Sequence, residues 1–213
     1  MTESIKKELS IKNTKEENKI SVLLVYGSPR RNGNTDELLN KFEEGLLHNK
    51  NIVKSFLSIE KVIVKSLKFS PCTECRHCSI GGECAVKDEM QEVYNKLINC
   101  DFLAVSSPVF FTSVSGYLKS FIDRCQRFWA LKYELKKRVV QKERKGIFIS
   151  TAGSGSDTIF DCSRKVIRAL FDVLYVKYDR DFVYKNIDFK GDILKIPEAL
   201  GEVHKYGMNL IIK

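Results

Sequence analysis

One unit recurs along this chain: a short apolar run, a turn of small or hydroxyl residues, and a helical stretch. Residues 20–26 (ISVLLVY) are almost continuously apolar and β-branched, the pattern of a strand covered on both faces. A loop over 27–34 follows, and Thr35 opens a helix that continues past Leu47. Further strands are expected at 61–65 (KVIVK), 102–106 (FLAVS) and 146–150 (GIFIS), with a weaker one at 173–178. Helices are expected after the N-cap candidate Asp88, from Ser115, from about Thr158, and from about Glu198. Strand and helix in alternation argue for an α/β fold with a doubly wound parallel sheet. The 213 residues suffice for one such domain over 20–213, with a polar, poorly ordered extension over 1–19.

In sheets of this kind ligands sit beyond the carboxyl ends of the strands. The loops there are the informative ones. The first is GSPRRNGNT, joining a buried strand to a helix start. Unpaired N–H groups and the positive helix end suit an anion, and Ser28, Arg30, Asn34 and Thr35 add donors. Neither the dinucleotide GxGxxG pattern nor the GxxxxGK[ST] pattern is present, so one phosphate fits, such as that of FMN. The bland alternative is a polar turn with an N-cap. After the third strand, Pro108, Val109, Phe110 and Phe111 offer backbone groups and aromatic faces to a planar heterocycle. After the fourth, Thr151, Ala152 and Gly153 let backbone approach the same ligand. Taken singly, these are equally core aromatics and turn residues; together with the first loop they point to FMN across the strand ends.

The sharpest motif is Cys72-x2-Cys75-x2-Cys78-x5-Cys84, within a loop expected over 71–84. Three thiolates at two-residue spacing wrap one corner of a cubane, as in bacterial ferredoxins, and a fourth completes it. Zinc sites more often pair two C-x2-C knuckles across a longer spacer. The spacing favours a 4Fe-4S cluster, with zinc and an unloaded loop as the alternatives. His77 is read as an exposed bystander. Cys100, Cys125 and Cys162 are read as small apolar residues. No Ser/His/Asp or Cys/His triad is legible.

The formal charge is +9, densest near residues 132–145, but no aromatic-interleaved basic motif accompanies it, so no nucleic-acid partner is expected. Positive charge suits anionic cofactors and an acidic redox partner. No apolar run is long enough to cross a membrane and no secretory h-region is legible, so cytoplasmic residence and no membrane partner are expected.

The motifs GSPRRNGNT, PCTECRHCSIGGEC with KDEM after it, SSPVFFTSVSGYLKSFIDR and TAGSGSD together resemble the iron–sulfur flavoproteins. These lie within the flavodoxin-like NADPH-dependent FMN reductase superfamily. The resemblance covers about residues 20–157. It implies a five-stranded sheet in the order 2-1-3-4-5, and phosphate contacts from Ser28, Arg30, Asn34 and Thr35. It further implies flavin contacts from Pro108 to Phe111 and from Thr151 to Gly153, and Cys72, Cys75, Cys78 and Cys84 as cluster ligands. A homodimer or homotetramer is implied, in which electrons pass from a ferredoxin-type donor through the cluster to FMN and on to a small-molecule acceptor. Segment 129–145 and the C-terminal region match nothing in that pattern. The competing readings are an NAD(P)H-dependent FMN or quinone oxidoreductase without a loaded cluster, and a redox-sensing flavodoxin-like binding protein.

Overall fold

The computed structural model describes residues 19–52 and 56–212; residues 1–18, most of the expected polar extension, lie outside that range. β1 (Ile20–Tyr26) has the bounds legible in the sequence. Its side chains alternate between two cores, as the two-residue period of a strand requires. Val22, Leu24 and Tyr26 enter one core, Leu23 and Val25 the other. A strand with neither face in water belongs inside the sheet. β1 accordingly pairs in parallel with β2 (Leu57–Ile63) on one side and β3 (Phe102–Phe110) on the other.

β4 (Ser113–Val114) returns antiparallel along the end of β3. β5 (Arg144–Thr151) and β6 (Val176–Tyr184) then extend the parallel sheet, whose order is β2-β1-β3-β5-β6. The parallel α/β architecture stands, but among the described residues the sheet has six strands and not five, and its numbering shifts accordingly. A two-residue strand carries no hydrophobic period, so β4 leaves no trace in the sequence. Two other bounds also move. β2 ends before Val64–Ser66, which is a 3-10 turn. β6 begins at Val176 because Val173 still belongs to the preceding helix.

Helices cover both faces. α1 (Asn34–Leu47) lies on one, and its partner there is the last helix of the chain. In the cysteine segment α2 (His77–Gly81) forms a single short helix. α3 (Met90–Asn99) and α4 (Gly116–Arg124) pack on the opposite face. The short α5 (Gln126–Trp129) continues into a π-helical turn, Ala130–Glu134. α6 (Asp161–Val173) joins α3 and α4, and α7 (Pro197–Asn209) joins α1. Buried Arg144, from the basic stretch, is structural. Its guanidinium donates to the carbonyls of Leu97 (2.6 Å), Cys100 (3.0 Å) and Leu174, stopping α3 and α6 at their C-terminal ends. Among the described residues no helix is long and apolar enough to cross a membrane.

α1 and α7 touch backbone to backbone. A Cβ on Gly45 would lie 2.2 Å from the His204 carbonyl oxygen, and one on Gly207 2.5 Å from that of Phe42. Asn49 then locks the pair by donating to the carbonyls of Gly207 and Leu210, both at 2.8 Å. Gly45→Ala is therefore expected to force the helices apart and lower stability by about 1–3 kcal/mol. Gly201→Ala, where a Cβ meets open space on α7, is expected to raise it by up to about 1 kcal/mol. Urea unfolding of the two variants checks this, and equal midpoints would refute the close-contact account.

Candidate functional site

The loop after β1 and the ends of β3 and β5 meet in one cleft at the carboxyl edge of the sheet. Ser28, Arg30, Asn34, Thr35, Pro108, Val109, Phe110, Thr151, Ala152 and Gly153 all line it. The chain reaches the cleft by a tight crossing: Gly27 N–H donates to the Ser106 carbonyl at 2.8 Å, and a Cβ on Gly27 would meet that oxygen at 2.6 Å. Ser115, the N-cap of α4, donates its hydroxyl to the Gly27 carbonyl and accepts from Leu118 N–H.

Thr35 is the most telling residue. The residue is 1% exposed, yet its Oγ1 has no hydrogen-bond partner among the described residues. Beside it, the Asp36 and Glu37 amides turn back to the Gly33 carbonyl, while those of Asn34 and Thr35 find no acceptor among the described residues. A buried orphan hydroxyl and free amides at a helix start suit one anionic group. Ser28 closes the turn by bonding the Arg30 amide at 3.1 Å, and the Arg30 guanidinium reaches the Asp188 carbonyl at 3.4 Å.

Three expectations change. The Asn34 side chain is committed elsewhere: it donates to the Phe189 carbonyl at 2.9 Å and accepts from Gly191 N–H at 2.9 Å. It holds the 186–193 segment over the cleft, so Ile187, Asp188 and Lys190 become lining residues that sequence reasoning missed. Only the basic Lys190 hinted at this. Pro108 does not follow the third strand but lies within β3, paired in register with Thr151. Phe111 is not brought into the cleft; it is fully exposed. Phe111 and Thr112 both have positive φ (47° and 63°), the geometry of a two-residue hairpin, uncommon for a bulky and a β-branched residue.

A second pocket holds Cys72, Cys75, Cys78 and Cys84 together. Its other wall is Gln126, Arg127, Trp129 and Glu134, which places part of the unmatched 129–145 segment at the site. Gly82 permits the approach: its φ is +78°, and a Cβ there would meet Leu131 at 2.5 Å. Burial, then the neighbouring Cys84, Cys72 and Cys75, raise the Cys78 thiol above its ordinary value. No three of these sulfurs lie within 4.8 Å of one another among the described residues. Of the other cysteines, Cys100 and Cys125 are buried as expected, whereas Cys162 is exposed.

Arg124 organises this loop. The side chain is buried, and its guanidinium donates to the Ser70 carbonyl (2.7 Å) before the cysteines and to Val86 (3.3 Å) after them. It also reaches Cys84 Sγ at 3.4 Å and both carboxylate oxygens of Asp88. Burial alone would raise the Asp88 carboxyl; the bonds from Arg124 and from the Ser70 and Met90 amides hold it below its ordinary value.

Residues 20–177 match the profile of the NADPH-dependent FMN reductase family. The chain belongs to this family. An iron–sulfur flavoprotein of Archaeoglobus fulgidus is 34% identical over 100 residues, covering 47% of this chain and 43% of that protein. One from Methanosarcina thermophila is 24% identical over 153 residues, 71% of each chain. The first curated relatives are matched over about half of their own length, from 43% to 58%. Among solved structures, an NAD(P)H:quinone oxidoreductase from Methanothermobacter marburgensis superposes with a TM-score of 0.64 at 16% identity, over 91% of this chain and 100% of that one. An FMN-dependent NADH-azoreductase from Bacillus anthracis, in complex with FMN, gives 0.59 at 15% identity, over 88% and 97%. At such identities these two share the fold.

Asp36 adds a pH dependence. Burial pushes its carboxyl up to about 6, against hydrogen bonds from the Gly33 and Asn32 amides, and its Oδ1 has no partner. The folded chain holds this proton more tightly than the unfolded chain. The stabilisation is fully present below the ordinary value of 3.8 and is lost as pH rises through about 6. Asp36→Asn is expected to gain about 1–3 kcal/mol over the native chain near pH 7.5, a gain that fades near pH 4. Unfolding midpoints at the two pH values measure it; a gain independent of pH would show that burial does not perturb Asp36.

Proposed function

We propose that this chain is an FMN-dependent oxidoreductase of the iron–sulfur flavoprotein type. FMN would occupy the carboxyl-edge cleft, and a 4Fe-4S cluster would be held by Cys72, Cys75, Cys78 and Cys84. The observation that carries this reading is the pairing of two sites. One is a cleft with an unpartnered, buried Thr35 hydroxyl; the other is a pocket lined by all four cysteines of the closely spaced motif. Bound, the flavin supplies one- and two-electron redox chemistry and the cluster supplies one-electron transfer.

The chain's own residues bind and orient. The Thr35 hydroxyl, Ser28, the first amides of α1 and the Arg30 guanidinium would hold the phosphate. Backbone and side chains of Pro108, Val109 and Phe110, with Thr151, Ala152 and Gly153 opposite, would border the flavin ring. Arg124 donates toward Cys84 Sγ at 3.4 Å and would fix the position of that sulfur. The electron donor is proposed to be a ferredoxin-type protein or NAD(P)H, and the acceptor a small molecule. The family's name favours NAD(P)H as the second reading, that of an NAD(P)H-dependent FMN or quinone reductase.

Anaerobically purified protein is expected to carry FMN, iron and sulfide. Serine at Cys72, Cys75, Cys78 or Cys84 should lose the iron and keep the flavin. Serine at Cys100, Cys125 or Cys162 should change neither. Arg30→Ala with Thr35→Ala should weaken FMN binding by about tenfold or more and leave iron content alone. Metal and sulfide analysis with fluorimetric FMN titration checks all of these. Zinc without sulfide, or FMN without any metal, would overturn the cluster assignment and leave the NAD(P)H-dependent reductase as the better account.

A homo-oligomer is proposed on a separate observation. Phe111 stands fully exposed on its strained hairpin, and Phe110 and Tyr117 are 41% and 49% exposed. An apolar groove beside them, lined by Pro29, Leu67, Phe69 and Pro71, runs between the cleft and the cysteine segment. A second copy is the expected cover. Sedimentation of the loaded protein should show a dimer or tetramer, and Phe111→Glu should shift it toward monomer; a monomeric native chain would dismiss the proposal.

A further inference from the structure

Two of the chain's three histidines, 156 residues apart in sequence, meet on the α1–α7 surface. His48 is the C-cap of α1, Glu44 lies one turn before it, and His204 projects from α7. Among the described residues these three form the only group of metal-ligating side chains whose ligand atoms lie within 4.8 Å of one another.

We propose that Glu44, His48 and His204 form a binding site for a divalent transition-metal cation, with Zn2+ as the best match. Distances carry the inference. His48 Nδ1 and His204 Nε2 are 3.5 Å apart, long for a hydrogen bond. Two imidazole nitrogens on one tetrahedral metal, with bonds of about 2.0–2.1 Å, lie roughly 3.4 Å apart. Glu44 Oε1 is 4.0 Å from His204 Nε2, again too far to be a bond between the two. The three groups converge on a common point and do not satisfy one another. The second Glu44 oxygen is paired with Lys41, which leaves Oε1 turned to the metal position. A turn of this half-exposed side chain closes the remaining gap.

The backbone beneath is fixed. The His204 carbonyl sits against Gly45, where any Cβ would clash, and Asn49 ties the end of α1 to Gly207 and Leu210. A pair of nitrogens and one carboxylate suits borderline cations such as Zn2+, with water in the fourth place because His48 is exposed. The site lies roughly 15–20 Å along α1 from Asn34, away from the two cofactor pockets. A bound ion would tie α1 to α7 and add to the stability of the folded chain by mass action. Nothing in this inference depends on the proposed redox function.

Calorimetric titration of the full chain, purified anaerobically with its cofactors, with zinc chloride tests the site. The native chain is expected to bind one equivalent of zinc and to melt several degrees higher with it. His48→Gln and His204→Gln should each weaken that binding at least tenfold and abolish the rise in melting temperature. Their zinc-free melting temperature and FMN content should match the native chain. Cys72→Ser should leave this equivalent in place. Zinc binding that survives both histidine variants, or that disappears in Cys72→Ser, would assign the metal to the thiols and overturn the proposal. A native chain that takes up no zinc beyond the level of the histidine variants would overturn it equally.

Discussion

Water touches neither face of β1 from Val22 to Tyr26, and most of the molecule is arranged to keep it so. The last five residues of this strand are buried, three of them facing α1 and α7 and two facing α3, α4 and α6. Parallel neighbours must be joined by crossovers that pass over the sheet, and here helices in those crossovers cover both faces. Those crossovers send the ends of β1, β3 and β5 to one edge. The cleft is built where they end, and small polar residues stitch it. Ser115 N–H donates to Ser107 Oγ at 2.9 Å, and Ser150 Oγ donates to the Ser107 carbonyl at 2.7 Å. These bonds tie β3, β5 and α4 together beneath the cleft without filling it.

The parts legible in the sequence are those where one local pattern decides the outcome. β1 announces itself because continuous apolar character is needed over its whole length. The cysteine segment is legible because its spacing is a property of the chain alone. The start of α4 is legible at Ser115, and the structure makes that residue its cap. Other residues take their roles from segments far away in sequence. Asn34 looks like a phosphate donor until the segment around residue 190 arrives to claim its amide. Arg144 looks like surface charge until the ends of α3 and α6 present it with carbonyls. Phe111 looks like a wall for a planar ligand until the hairpin turns it outward.

Arg124 shows the same dependence from the opposite side. A buried guanidinium is costly unless its donors are used. Here acceptors come from both flanks of the cysteine loop and from Asp88, so the loop's path and the burial of the arginine require each other. A loop with repeated left-handed residues, Glu74, Arg76 and Gly82, has little regular hydrogen bonding of its own to hold it. Its shape is borrowed from α4.

α4 is also the helix that begins at Ser115, against the Gly27 carbonyl of the cleft, and ends at Arg124, in the cysteine pocket. One rigid rod of nine residues therefore gauges the separation of the two pockets. Adding or deleting a residue within it would turn Arg124 by roughly 100° and shift it by about 1.5 Å relative to Ser115. Surface loops in this fold are free to lengthen over evolutionary time. α4 is not: it is the molecule's ruler, and each pocket vetoes changes in its length on behalf of the other.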